Sequence, residues 1–206
     1  MAFVKKIDFK KELKQLYSAP TKTPVMVKVP RMNFLMIDGT GDPNTSVNFK
    51  NAIEALYSLS YTMKFALKKG KPSIDYGVPP LEGLWWTDSM ADFSVENKDI
   101  WNWTVMIMQP KYVTQLLVNH AIKDVRQKKK LPALNAVRFE AYAEAHSAQI
   151  MHLGPFSTEG PTIQKLHSYI KENGYSLRGK HHEIYLSDFR RVDPEKWKTI
   201  LRQPLE

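Results

Sequence analysis

A glutamate and a tyrosine two residues apart, Glu183 and Tyr185 in HHEIYLSD (181–188), are a pair that could do chemistry. The segment reads as a strand, and strand side chains alternate between faces, so the two point the same way. A carboxylate taken out of water has its pKa raised unless hydrogen bonds hold it ionised. A group tuned like that serves as counter-charge to a cation, or as general acid or base. The same glutamate on an edge strand would stand in water, and the pattern alone leaves both readings open. His181 and His182 are adjacent on the strand, point to opposite faces and make a poor metal chelate.

The flat surface that would enclose such a carboxylate is concentrated in GLWWTDSMADFSVENKDIWNW (83–103). Four of the five tryptophans, Trp85, Trp86, Trp101 and Trp103, lie there. LWWT (84–87) and WNWTVMIM (101–108) read as two strands joined by a polar loop, a long hairpin. Alternation sends Trp85 to one face and Trp86 to the other, and keeps Trp101 and Trp103 together. Aromatic faces stack on flat ligands or attract cations. They also pack cores, and at strand spacing that is the commoner role. The candidate ligand-binding residues are Trp85, Trp101 and Trp103, with Tyr142 on the strand expected over 136–144.

These residues need elements to position them. A lysine-rich helix is expected over 5–17, then an arm punctuated by Pro20, Pro24 and Pro30. MNFLMIDG (32–39) reads as a strand. Asn44, Thr45 or Ser46 caps a helix running from Phe49 to Lys69, which Gly70 and Pro72 end. Another helix is expected over about 111–129. In the second half, strands over 136–144 and 147–153 precede a helix that opens at Pro161 and closes at Asn173 and Gly174. The strand 181–188 follows, then a tail with Trp197. Both halves therefore run strand, turn, helix, strand, and EGLWWTD (82–88) lies on HEIYLSD (182–188). That match pairs Trp85 with Tyr185 and Gly83 with Glu183. It implies a duplicated module with a ligand cleft between its copies.

Composition narrows the function classes. The chain has 206 residues, 43% apolar and 25% charged, with no cysteine. That suits one globular domain, excludes thiolate and disulfide chemistry, and fits a cytoplasmic setting. MAFVKKIDFKKELKQLY lacks the apolar stretch of a secretory signal, and no run approaches a membrane span. The net charge of +9 could attract a polyanion, but the lysines are scattered and only Lys128–Lys130 form a run, at a helix end. No nucleic-acid-binding pattern is present, and direct nucleic-acid binding is not expected. No metal or cofactor is expected: HExxH, a phosphate-cradling glycine loop and a nucleophile elbow are all missing.

HHEIYLSDFRR followed by PEKWKTILRQPL resembles the GyrI-like small-molecule-binding family. KIDFKKELKQLY, FLMIDGTGDPN and QIMHLGPFSTEGPTIQKLH extend the match over nearly the whole chain. The resemblance implies an α+β fold: a duplicated strand–helix–strand–strand module forming one antiparallel sheet, helices packed on one side and a ligand cleft between the repeats. One domain over 1–206 is expected, with helix and arm at 1–31, repeats over about 32–110 and 134–206, and a connecting helix over about 111–130. Some relatives carry a DNA-binding domain, and this chain looks like the stand-alone form. In drug-binding relatives a buried glutamate among aromatics receives planar cations, and Glu183 holds that position. The tryptophan-rich stand-alone form is similar to cyclopropanoid cyclopropyl hydrolases, which detoxify DNA-alkylating compounds of the yatakemycin type in an aromatic cage. The expected partner is a planar aromatic molecule, with Glu183 as general base or water-positioning group, Tyr185 as hydrogen-bond donor and the tryptophans as walls. Sequestration without catalysis is the alternative. A protein partner such as gyrase, which some relatives have, ranks last.

Overall fold

The alternating apolar runs of this sequence assemble into one eight-stranded antiparallel sheet. The structure, a computed structural model, describes residues 6–71, 73–89 and 97–206. Pro72, the first five residues and most of the loop expected between the tryptophan strands lie outside them. The strands are β1 (Val25–Val29), β2 (Met32–Thr40), β3 (Leu81–Trp86), β4 (Asn102–Gln109), β5 (Arg138–Tyr142), β6 (Ala145–Leu153), β7 (His181–Tyr185) and β8 (Lys198–Pro204). Their order across the sheet is β1-β6-β8-β7-β3-β4-β2-β5.

That order is a palindrome of the two repeats. β2, β3 and β4 of the first half mirror β6, β7 and β8 of the second about the β3–β7 seam. The register at the seam puts Gly83 opposite Glu183, Leu81 opposite Tyr185 and Trp85 opposite His181. A twofold axis between Gly83 and Glu183 therefore carries Trp85 onto Tyr185, as the sequence match has it. The edge strands are exchanged: β1 pairs with β6 of the other half, and β5 with β2. The proline-punctuated arm thus becomes an edge strand. β8 was expected as a tail; it is an inner strand between β6 and β7.

Three longer helices cover one face. α3 (Val47–Lys69) starts where Ser46 Oγ accepts the Phe49 amide at 3.2 Å, a side-chain N-cap. α4 (Gln115–Lys128) starts on Thr114 in the same way. α5 (Gly160–Glu172) carries Pro161 in its first turn. Leu56, Leu59 and Met63 of α3 are fully buried against Leu35, Val105 and Ile107 of the sheet, and α4 packs through Val118, Ala121 and Val125. α5 sits over the second repeat through Leu166 and Ile170. Two single-turn helices, α1 (Phe9–Glu12) and α2 (Lys14–Tyr17), lie on the opposite face, where Leu16 and Tyr17 meet Val29, Ile184 and Ile200.

Trp103 is one of the largest fully buried side chains, and its indole occupies the space above Gly39, directly across the β2–β4 ladder. A Cβ at residue 39 would lie 2.2 Å from two indole carbons. Gly39→Ala is therefore expected to destabilise the fold by about 1–3 kcal/mol, the usual penalty for overpacking. A urea titration would show it as a lower midpoint with unchanged slope.

Candidate functional site

A cavity of about 1040 Å³ opens between the sheet and α3, at the seam between the repeats. It is large enough for a drug-sized molecule. β7 and β3 give its floor. Glu183 and Tyr185 both face the cavity, as alternation expects, and Trp85 lies on the same face. Because β7 is a central strand, Glu183 is buried, which excludes the reading of an edge-strand carboxylate standing in water.

The Tyr185 hydroxyl donates to Glu183 Oε2 at 2.8 Å, and His181 Nε2 lies 3.7 Å from Oε1. Burial pushes the Glu183 carboxyl up to about 7, against the opposing pull of the Tyr185 hydrogen bond and the Lys98 charge. Burial and the Glu183 charge raise the Tyr185 phenol well above its ordinary range, and the Trp85 indole N–H partly offsets that rise. Burial also lowers His181 to about 3, so that imidazole is neutral. The floor thus holds a carboxyl poised at neutral pH and a phenol that keeps its proton.

Gly83 makes the centre of this floor possible. A Cβ there would meet both Trp85 Nε1 and the Tyr185 hydroxyl at 2.9 Å. The twofold mate of Glu183 is therefore a bare backbone position, over which the indole and the phenol converge. The duplicated module keeps one carboxylate at its axis, not two.

The aromatic walls come from more of the chain than the hairpin. Trp101 and Trp85 line the cavity with ring centroids 5.5 Å apart, and Phe49 of α3 packs against Trp85 at 5.7 Å. Trp103 shares their face but not the lining: it sits beneath Phe49, edge to face at 5.1 Å. Trp86 turns to the opposite face, as expected, with Lys180 over its ring. Tyr142 is not brought to the site. It is on β5 at the far edge, on the opposite face, and packs edge to face on Phe34. A strand position fixes which face a side chain shares, but not how many strands separate it from the seam.

Sequence reasoning missed a second aromatic wall and a second acid. Phe156, Phe189 and Trp197 line the cavity beside Tyr185, with Phe156 centred 4.6 Å from Trp197 and 5.5 Å from Tyr185. They come from the turn before α5 and the β7–β8 connection, where no periodicity marks a side chain's direction. Glu159 precedes Gly160-Pro161 and reads as an acid complementing a helix N-terminus. Its side chain makes no cap hydrogen bond and turns into the cavity, almost fully buried. Burial, then the Glu183 charge, raises its carboxyl well above the ordinary range, while Thr199 and Lys98 oppose the rise. Among the described residues, no cluster of histidine, aspartate and glutamate has the arrangement of a metal site, and no helix is long and apolar enough to cross a membrane.

The face behind β7 carries a different constellation. His182 Nε2 lies 3.0 Å from Glu82 Oε2 and its Nδ1 2.9 Å from Glu144 Oε2. Arg202 reaches Glu144 Oε2 at 3.2 Å, Gln149 Oε1 at 2.9 Å and the Leu16 carbonyl at 2.6 Å. The Tyr17 hydroxyl donates to Glu82 Oε1 at 2.9 Å. This buried network ties α2, β3, β6 and β8 to the back of the strand that presents Glu183.

Several solved structures resemble the chain. A conserved protein of unspecified function from Listeria innocua is 41% identical, with a TM-score of 0.89, 98% of this chain and 100% of that one covered. A protein from the same organism, described as a hydrolase, is 41% identical with a TM-score of 0.86 and the same coverage. The C-terminal domain of EcmrR shares the fold at 13% identity and a TM-score of 0.55, over 89% of this chain and 97% of that one. No functionally curated protein matches the sequence. The model of the GyrI-like small molecule binding domain matches residues 22–206. With that match over most of its length, and an aromatic cavity centred on the seam between two repeats, the chain belongs to the GyrI-like small-molecule-binding family.

Proposed function

We propose that the cavity binds a flat aromatic small molecule and that the protein is a hydrolase opening the cyclopropane ring of cyclopropanoid DNA-alkylating compounds of the yatakemycin type. The observation that carries this reading is the Glu183–Tyr185 pair at the floor of an aromatic cavity, with the carboxyl raised to about 7. The similar structure from Listeria innocua that is described as a hydrolase supports the reaction class.

In the reaction, water attacks a cyclopropane carbon conjugated to a dienone. A carbon–oxygen bond forms and the strained carbon–carbon bond breaks. The released electron pair moves through the dienone to its oxygen, and the ring becomes a phenol. Glu183 takes the proton from the attacking water, and the phenol oxygen receives one, so the product is the substrate plus one water. A base with a pKa near the working pH combines adequate basicity with a large ionised fraction. Tyr185 orients that carboxylate. Trp85 and Trp101 stack on the flat ligand, and holding it against the water supplies much of the rate.

Incubation with a cyclopropane-bearing alkylator, followed by mass spectrometry, tests the reading. Protein-dependent gain of one water is the expected result. Intact alkylator with saturable tryptophan quenching overturns catalysis and favours sequestration, for which a buried carboxylate among aromatic faces is also suited.

A further inference from the structure

Beyond the floor, the α3 wall of the cavity has an unusual construction. Phe49, Ile53, Tyr57, Tyr61 and Phe65 recur every fourth residue, and all five line the cavity. Four residues are slightly more than one helical turn, so such a stripe drifts around the helix by about 40° per step. Exposure follows that drift. Phe49 and Ile53 are buried, Tyr57 is half-buried, and Tyr61 and Phe65 are 46% and 49% exposed. Tyr57, Tyr61 and Phe65 stack in succession, each pair 6.3 Å apart and inclined by 28°. The stripe is about 24 Å long at 1.5 Å per residue, several times the width of one flat ring system.

The charges around this outer half differ from those at the floor. The Arg190 guanidinium lies over the Tyr57 ring at 5.2 Å and is itself paired with the Asp188 carboxylate at 2.9 and 3.0 Å. Lys128, the last residue of α4, and Lys129, which follows it, line the same cavity, with Lys129 donating to Ser58 on α3, and Glu54 is the acid on this stretch of the α3 helix. Two exposed aromatic side chains stacked in line with a buried aromatic floor extend it into a contiguous apolar surface of the kind that marks a ligand-binding groove.

We propose that Tyr57, Tyr61 and Phe65 form a second subsite, which takes the distal aromatic unit of an elongated ligand whose first unit lies at Glu183. The ligand class is a chain of at least two linked flat units, with a neutral or anionic distal end to suit Lys128 and Lys129. The proposal rests on the reading of the cavity as the ligand site. It adds that Tyr61 and Phe65, far from the reacting atoms, set specificity for ligand length.

Two neutral probes test it in fluorescence titrations: 2-phenylbenzimidazole, with one flat unit, and a phenyl-bibenzimidazole that links two. The double variant Tyr61→Ala/Phe65→Ala alters exposed positions and keeps the fold. It is expected to weaken the longer probe at least tenfold and the shorter one less than twofold. Phe189→Ala, beside the floor, is expected to weaken both. Unchanged affinity of the double variant for the longer probe, or equal loss for both probes, overturns the second subsite. If Phe189→Ala leaves both probes unaffected, the reading of the floor as a ligand site fails instead. Glu183→Gln is expected to leave the ratio of the two affinities unchanged.

Discussion

Replacing Glu183 with glutamine is expected to slow hydrolysis of a cyclopropanoid substrate by about 10²–10⁴-fold, the usual contribution of a positioned base. Binding, read by tryptophan quenching, should change only a few-fold, because glutamine keeps the shape and still accepts the Tyr185 hydrogen bond. The wild-type rate should rise with pH through about 7, since the raised carboxyl ionises only there. Stability carries the opposite sign. The protonated form is favoured by folding, so this contribution is complete below the ordinary carboxyl value of 4.5 and is lost as pH rises through about 7. Glu183→Gln should therefore be more stable than wild type at pH 8. Unchanged turnover in the variant removes Glu183 from catalysis. A wild-type rate that falls through pH 7 makes it a general acid.

The second large effect is structural. His182→Leu should cost about 3–5 kcal/mol, as removal of one partner from a buried ion pair does. It removes the cation between Glu82 and Glu144, leaving Glu144 to Arg202 and Glu82 to the Tyr17 hydroxyl alone. Glu82 and Glu144 raise His182 to about 9 despite burial, and His182 and Arg202 hold Glu144 down at about 2. The His182 contribution is fully present below its ordinary value of 6.5 and is lost as pH climbs to about 9. The Glu144 contribution is present above 4.5 and is lost as pH falls towards 2. Wild-type stability from this network should plateau between these windows, and urea titrations at pH 6 and 9 should show the loss on the alkaline side. A variant whose stability matches wild type at pH 6 would show that the network contributes no net stabilisation. Since the network holds the back of β7, the same variant should also loosen the setting of Glu183.

Much of the fold is legible in the sequence because two periodicities and the turn residues mark it. α3 begins on Ser46, one of three caps expected, and ends at Gly70. α5 opens with Pro161, and the β3–β7 pairing reproduces the match of EGLWWTD with HEIYLSD. β8 was not legible. KTILRQP carries six consecutive buried residues and lies between two strands, so it lacks the polar alternation that marks a half-exposed one. The edge exchange was hidden for another reason: backbone hydrogen bonds pair β1 with β6, and they carry no side-chain label that names the partner strand.

For the site, the sequence by itself determined faces: Glu183 with Tyr185, Trp85 against Trp86, His181 against His182. Those follow from a strand's twofold period, which no tertiary contact can alter without slipping the register. Tertiary structure decided distance and depth. It set Trp101 in the cavity and Trp103 beneath Phe49, and it left Tyr142 at the far edge. It also brought Glu159, Phe156, Phe189 and Trp197 in from loops. Loop side chains have no period to declare their direction, and the depth of a strand residue depends on how many neighbours the sheet places beside it.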